Sequence, residues 1–322
     1  MTAAATASTA EELPAPKSFY DVPGWFYNTD VVLFDWFLKR QETEDIHGDL
    51  LEMGAYMGKS AILMRAYLRD DETFTVCDLF DSDAPDEHNE REMSGSYSTL
   101  TRRSFEANFL SFHDELPRVI QAPTSVVPEE VKADSCRFVH VDASHLYEHV
   151  HPDIGNAREA LSGDGLVVLD DYRSSHTPGV ACATWQAVLE GGLKPICVSS
   201  NKFYGTWGDP KPVQDRLHAE LKERGNFWLQ WQEVAGHRML LVGGRKATPP
   251  KLPVSKHKAT ADTAADGAAA QAPKSGQASQ PKAAAKPAPA PRRPRSRLRK
   301  VAIDVLPPVV TRAVVRARKR GR

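Results

Sequence analysis

An α/β fold with a mostly parallel sheet and helices on both faces is predicted for residues 17–246. Three observations predict it: short strand-like runs alternate with helical patterns, the runs are almost wholly apolar, and acidic residues stand at their carboxyl ends. The first element is a helix over 30–41, where Val31, Phe34, Phe37 and Leu38 recur at helical spacing behind the capping residues Thr29 and Asp30. Strands follow at 49–53, 73–77, 118–121, 137–141 and 165–169, with helical patterns at 60–68, 146–161 and 180–190 between several of them. Helical crossovers of this kind join parallel strands, so ligands are expected beyond the strands' carboxyl ends. Residues 194–198 and 202–207, joined by Ser199-Ser200-Asn201, form a predicted antiparallel hairpin. A helix over 213–224 and strand-like runs at 227–233 and 238–242 close the domain. The polar stretch 79–112 interrupts the alternation on the ligand face, where long insertions serve as lids or substrate loops.

The flanks differ in kind. Residues 1–16 are read as a disordered N-terminus. Residues 247–291, almost wholly Ala, Pro, Lys, Thr, Ser and Gln, are read as a linker with too little apolar surface to offset its ordering entropy. The net charge of −1 averages unlike parts: residues 1–250 hold 23 Lys and Arg against 39 Asp and Glu, whereas 291–322 hold 12 against the single Asp304. An acidic body disfavours a broad nucleic-acid surface, and the basic tail, 292–322, invites an anionic partner. Val310, Val314 and Ala317 share one helical stripe among its arginines, a pattern suited to an anionic membrane surface and, as an alternative, to nonspecific nucleic-acid binding. Cys77, Cys136, Cys182 and Cys197 lack disulfide or metal-ligand spacing, and the start of the chain lacks the basic and apolar regions of a signal peptide. A cytoplasmic protein is expected, recruited peripherally to the inner membrane surface if the tail binds lipid.

Four segments carry chemistry. In Leu51-Glu52-Met53-Gly54 through Gly58-Lys59-Ser60 a strand runs into a helix through a turn with two glycines four apart, which lets backbone approach a ligand closely. The spacing is neither that of a dinucleotide fingerprint nor that of a P-loop. Glu52 suits a ligand with an ammonium group, and Asp78, at the next strand end, can accept ribose hydroxyls. Val141-Asp142-Ala143-Ser144-His145 and Leu169-Asp170-Asp171-Tyr172 end the fourth and fifth strands. Asp142, Asp170 and Asp171 are hard oxygen donors on neighbouring strand ends, a set that suits Mg2+. Each also fits a plain helix or turn cap. His145, beside Asp142, is the candidate base.

As an ordered set, these segments together with Pro23-Gly24-Trp25-Phe26, His140-Val141-Asp142, Leu146-Tyr147-Glu148 and Pro178-Gly179-Val180 resemble class I S-adenosylmethionine-dependent methyltransferases of the macrocin and novobiocin sugar O-methyltransferase group. The resemblance covers roughly residues 20–207. It implies a Rossmann-like methyltransferase fold with a seven-stranded sheet ending in an antiparallel hairpin. It also implies S-adenosylmethionine held by Glu52, Gly54, Gly58, Ser60 and Asp78, Mg2+ held by Asp142, Asp170 and Asp171, and a sugar, glycan or small-metabolite acceptor. One departure matters: the group commonly has Asp-Gly-Asp where this chain has Asp142-Ala143-Ser144, and the second Asp is the proposed base there. Either His145 takes that role, the metal alone activates the hydroxyl, or the chemistry differs. Two other readings fit the same residues: a metal-independent methyltransferase acting on another nucleophile, and a noncatalytic nucleoside-binding scaffold docked through its tail.

Overall fold

The computed structural model describes residues 14–97, 99–244 and 246–258. The basic tail, most of the linker and most of the N-terminus lie outside the described residues. The elements, in chain order, are α1 (Asn28–Thr43), β1 (Asp49–Met53), α2 (Lys59–Arg65), β2 (Phe74–Asp78), α3 (Glu87–Ser96), α4 (Arg102–Leu110), β3 (Arg118–Gln121), α5 (Val127–Glu130), β4 (Cys136–Val141), α6 (Tyr147–Ala160), β5 (Leu161–Leu169), α7 (Pro178–Leu189), β6 (Lys194–Val198), β7 (Phe203–Thr206), α8 (Lys211–Arg224), β8 (Trp228–Val234) and β9 (His237–Gly243).

All the strands lie in one sheet in the order β3-β2-β1-β4-β5-β7-β6-β9-β8. The first five strands pair in parallel, and β7 enters antiparallel between β5 and β6. The chain order reverses between β1 and β4, which opens the ligand crevice at their carboxyl ends. The sheet has nine strands where seven were expected. The two runs after α8 extend it: β9 joins β6 in parallel through Cys197↔Leu240 and Val198↔Leu241, and β8 pairs antiparallel with β9 at the edge. Leu240 and Val242 of β9 are buried in the main core, and the two-residue turn Ala235-Gly236, with φ of 50° and 80°, folds β8 onto β9.

Strand alternation divides the core between the two faces. Leu50, Phe138, Leu166 and Val168 pack with residues of α1, α2, α4 and α8, whereas Leu51, Met53, Val139, Val141 and Val167 pack with α6 and α7. By the same alternation Glu52 and His140 face the first of these cores, directly opposite each other in the register. That places two ionisable groups in an apolar layer.

The insertion after β2 is helical. Asp86 caps α3 by accepting from the backbone N–H of His88 and Asn89, and Thr101 caps α4 by accepting from that of Ser104. Phe105 and Phe109, one helical turn apart, bury α4 in the core. Residues 247–258, the beginning of the expected linker, instead lie against the domain. The Ser255 hydroxyl donates to Pro16 O at 2.5 Å, and Lys256 donates its backbone N–H to Ser111 O at 2.8 Å and its Nζ to His113 O at 2.7 Å. Backbone hydrogen bonding secures this stretch, which composition does not reveal.

Candidate active site

The turn after β1 is tightly built. Gly54 has φ +81°, and a Cβ there would lie 2.2 Å from Asp142 O and 2.4 Å from Ala143 Cα. Glycine is therefore required where the ends of β1 and β4 touch. Tyr56 and Gly58 also take positive φ, and Gly58 opens α2. Asp78 shapes this loop: its Oδ2 accepts from Ala55 N at 2.7 Å and Tyr56 N at 3.1 Å, and its Oδ1 from Phe80 N at 2.6 Å. Sequence reasoning gave Asp78 to a ribose, but its hydrogen bonds go first to the turn. Burial raises its pKa, and these three amides oppose the rise. Above the turn the exposed Trp25 stacks on Tyr56 with centroids 5.6 Å apart, and Tyr97 meets Tyr56 edge-on at 5.6 Å.

A buried polar row runs from this turn to β5. Glu52 Oε1 lies 2.8 Å from His140 Nδ1, and Lys202 Nζ lies 3.2 Å from His140 Nε2. Lys202 also pairs with Asp170 Oδ2. A lysine has only protons to offer, so His140 Nε2 accepts and its Nδ1–H donates to Glu52. Burial, then the charge of Lys202, pushes His140 down to about 3, so it stays neutral. Burial pushes Glu52 up to about 8, and its Oε2 has no hydrogen-bond partner. Ser60, in the first turn of α2, faces the same carboxyl. The ammonium of Lys202 is wedged against the rings of Phe26 and Phe34, at 5.4 and 6.0 Å.

The elevated pKa of Glu52 ties stability to pH. The folded state holds this proton more tightly than the unfolded chain, so the stabilisation from protonation is complete below the unfolded value of 4.5 and is lost as pH rises through about 8. Glu52→Gln cannot titrate and still accepts from His140. Its melting temperature relative to wild type should therefore rise between pH 5 and pH 8, and a constant difference in calorimetric scans would contradict the assignment.

Asp142 is shared by two separate clusters, one with Asp170 and the other with Asp171. Ligand atoms of His140, Asp142 and Asp170 lie within 4.8 Å of one another, as do those of Asp142, His145 and Asp171. Burial, then the Asp170 charge, holds the Asp142 carboxyl well above the usual range. Burial would also raise Asp170, but the charge of Lys202 outweighs it and holds this group low. Asp170 Oδ1 further accepts from Asn201 Nδ2 at 2.6 Å and Asp171 N at 2.7 Å.

His145 is not the neutral base that the sequence suggested. Its Nδ1 lies 2.8 Å from Glu92 Oε1 and its Nε2 lies 2.9 Å from Asp171 Oδ2. Burial lowers its pKa, but hydrogen bonds to Asp171 and Glu92 outweigh this and push it up to about 10. At neutral pH it is an imidazolium with both N–H groups engaged. Ser144 donates to Glu92 Oε2 at 2.9 Å. Sequence reasoning missed His140, Lys202 and Glu92. A polar residue inside an apolar run signalled His140, whereas Lys202 follows a polar turn and Glu92 lies among many charges in a polar insertion, so neither had a signal.

Residues 51–172 match a family described as a methyltransferase domain. No curated protein matches the chain. Similar solved structures include the O-methyltransferase NovP, 21% identical over 56% of this chain and 80% of that one, with a TM-score of 0.47. The calicheamicin methyltransferase CalS11 is 19% identical over 56% and 79%, with a TM-score of 0.40. The O-methyltransferase TomG of Streptomyces achromogenes, involved in tomaymycin synthesis and solved with S-adenosylmethionine, is 13% identical over 59% and 83%, with a TM-score of 0.38. Sheet order and the glycine turn after β1 agree with the methyltransferase-domain family that residues 51–172 match.

Proposed function

We propose that the enzyme transfers the methyl group to a hydroxyl of a sugar, glycan or other small metabolite, assisted by Mg2+ at Asp142, Asp170 and Asp171. The observation that carries this reading is the meeting, in one crevice, of a buried carboxyl lacking a partner for one oxygen with an acidic group in which burial, then the Asp170 charge, raises Asp142 well above the usual carboxylate range. Both features fit the absent groups. An ammonium beside Glu52 Oε2 offsets the burial that keeps this carboxyl neutral, and a divalent cation relieves the repulsion that raises Asp142. When bound, S-adenosylmethionine supplies an electrophilic methyl carbon and Mg2+ a Lewis acid that acidifies the acceptor hydroxyl.

The protein's own part is positioning and charge. Gly54 and Gly58 bring backbone close to the cofactor, and Asp78 holds the turn in shape. With His145 already cationic, Asp142 is the carboxyl of the cluster whose pKa is raised, by burial and then by the Asp170 charge. Its Oδ atoms are the proposed destination of the acceptor's proton. A second reading is favoured by Lys202, an internal cation already set against Asp170: the same transfer without metal. Persistence of turnover in EDTA separates the two.

Calorimetric titration tests the proposal. S-adenosylmethionine should bind the wild type with or without Mg2+, more tightly at pH 8 than at pH 6 as Glu52 gives up its proton. Asp142→Asn should keep cofactor affinity within about threefold and lose the Mg2+ response. Absence of cofactor binding in every condition would sink the proposal.

A further inference from the structure

The insertion between β2 and β3 reaches back into the acidic centre through one side chain. Glu92, on α3, uses both carboxylate oxygens there. Oε1 accepts from His145 N at 2.9 Å and lies 2.8 Å from His145 Nδ1, while Oε2 accepts from Ser144 Oγ at 2.9 Å and from Asn89 Nδ2 at 3.3 Å. His145 relays the contact to Asp171 through Nε2. A second tie joins Asp86, the α3 cap, to His149 Nε2 at 2.8 Å. Among the described residues α3 places no hydrophobic side chain in the buried core, so polar ties fix its position. Tyr97, immediately after α3, lies within electrostatic reach of Asp142, Glu92, Asp171 and Asp78. The place of α3 therefore decides what faces the crevice.

We propose that Glu92 is a positioning residue that fastens α3 over the acidic centre and keeps His145 turned towards Asp171. Its importance for the reaction rests on reading that centre as the reactive site; the fastening itself can be measured without turnover. Hydrogen exchange of the amides of 87–96 in the full-length protein is the first readout. The ring N–H resonances of His145 are the second, and a merely structural role would not move them.

Glu92→Ala removes four hydrogen bonds that involve a charge, and should speed exchange across α3 about tenfold or more while leaving β4 unchanged. The Nδ1–H resonance of His145 should disappear with it. Glu92→Gln keeps an oxygen that accepts from His145, so it should preserve that resonance and restore most of the protection. Ser144→Ala, which removes one of the hydrogen bonds to Glu92 together with the one Ser144 accepts from Leu146 N, should speed α3 exchange about threefold. Unchanged α3 exchange and unchanged His145 resonances in Glu92→Ala would overturn the proposal. Should Glu92→Ala lose protection throughout the domain, Ser144→Ala decides: faster exchange confined to α3 supports the fastening, and wild-type protection refutes it. Failure to detect methyl transfer would count against the proposed function and leave these results standing.

Discussion

Asp170→Ala should lower the unfolding free energy by about 3–5 kcal/mol and reduce methyl transfer roughly a hundredfold or more. The cost comes from what is left behind. Lys202 is 1% exposed and takes its counter-charge from Asp170, while Asn201 and the Asp171 amide also donate to that carboxylate. Truncation leaves an ammonium in an apolar layer beside two phenylalanine rings, with the weak acceptor His140 Nε2 as its remaining close partner. Denaturant titration measures the loss. The double variant Asp170→Ala/Lys202→Met, which removes both charges, should recover most of the stability and none of the activity. If the double variant is no more stable than the single one, the buried pair is not the source of the effect.

The second large effect is at Gly54. Alanine there combines a positive φ of +81° with a Cβ 2.2 Å from a carbonyl oxygen and 2.4 Å from a Cα, both of them backbone atoms. Neither can swing aside as a flexible side chain does, so the ends of β1 and β4 must separate. Overpacking of about 1–3 kcal/mol and left-handed strain of about 1–2 kcal/mol combine to about 2–5 kcal/mol. Cofactor affinity should fall with it, since the same displacement moves the turn. Gly192 supplies the control: φ is +74° but nothing lies within 4 Å of a built Cβ. Gly192→Ala should cost only about 1–2 kcal/mol, from strain alone, and leave cofactor binding intact. Equal losses at the two positions would show that conformation matters and crowding does not.

Much of the architecture was legible because it follows from local periodicity. Strands β1 and β3 and the helices α6, α7 and α8 lie within a few residues of where alternation and helical spacing put them. The glycine turn and the three strand-end acids were legible for the same reason, since each is anchored to the end of a strand. What was not legible depends on distant pairing. Strand β9 joins the sheet through contacts with β6 more than forty residues away, and α3 docks through Glu92 on a loop more than fifty residues away. The reversed assignment of His145 has a similar origin: its protonation is set by two carboxylates, and only Asp171 belonged to a recognisable motif. Conversely, the acid in β1 and the histidine in β4 were visible as interruptions of apolar runs. Their meaning emerges only from the register, which sets them side by side under α1.

The buried lysine also orders events during synthesis. Three carboxyls of the acidic centre are in place once β5 has been made, but the cation that balances Asp170 is encoded some thirty residues later, past α7 and β6. A nascent chain that has emerged only as far as the acids after β5 has His145 to pair with Asp171 but no cation for Asp170. Asp170 meets its counter-charge where the hairpin of β6 and β7 turns back into the sheet. A chain ending before Lys202 would carry the three acids without the ammonium that pairs with Asp170.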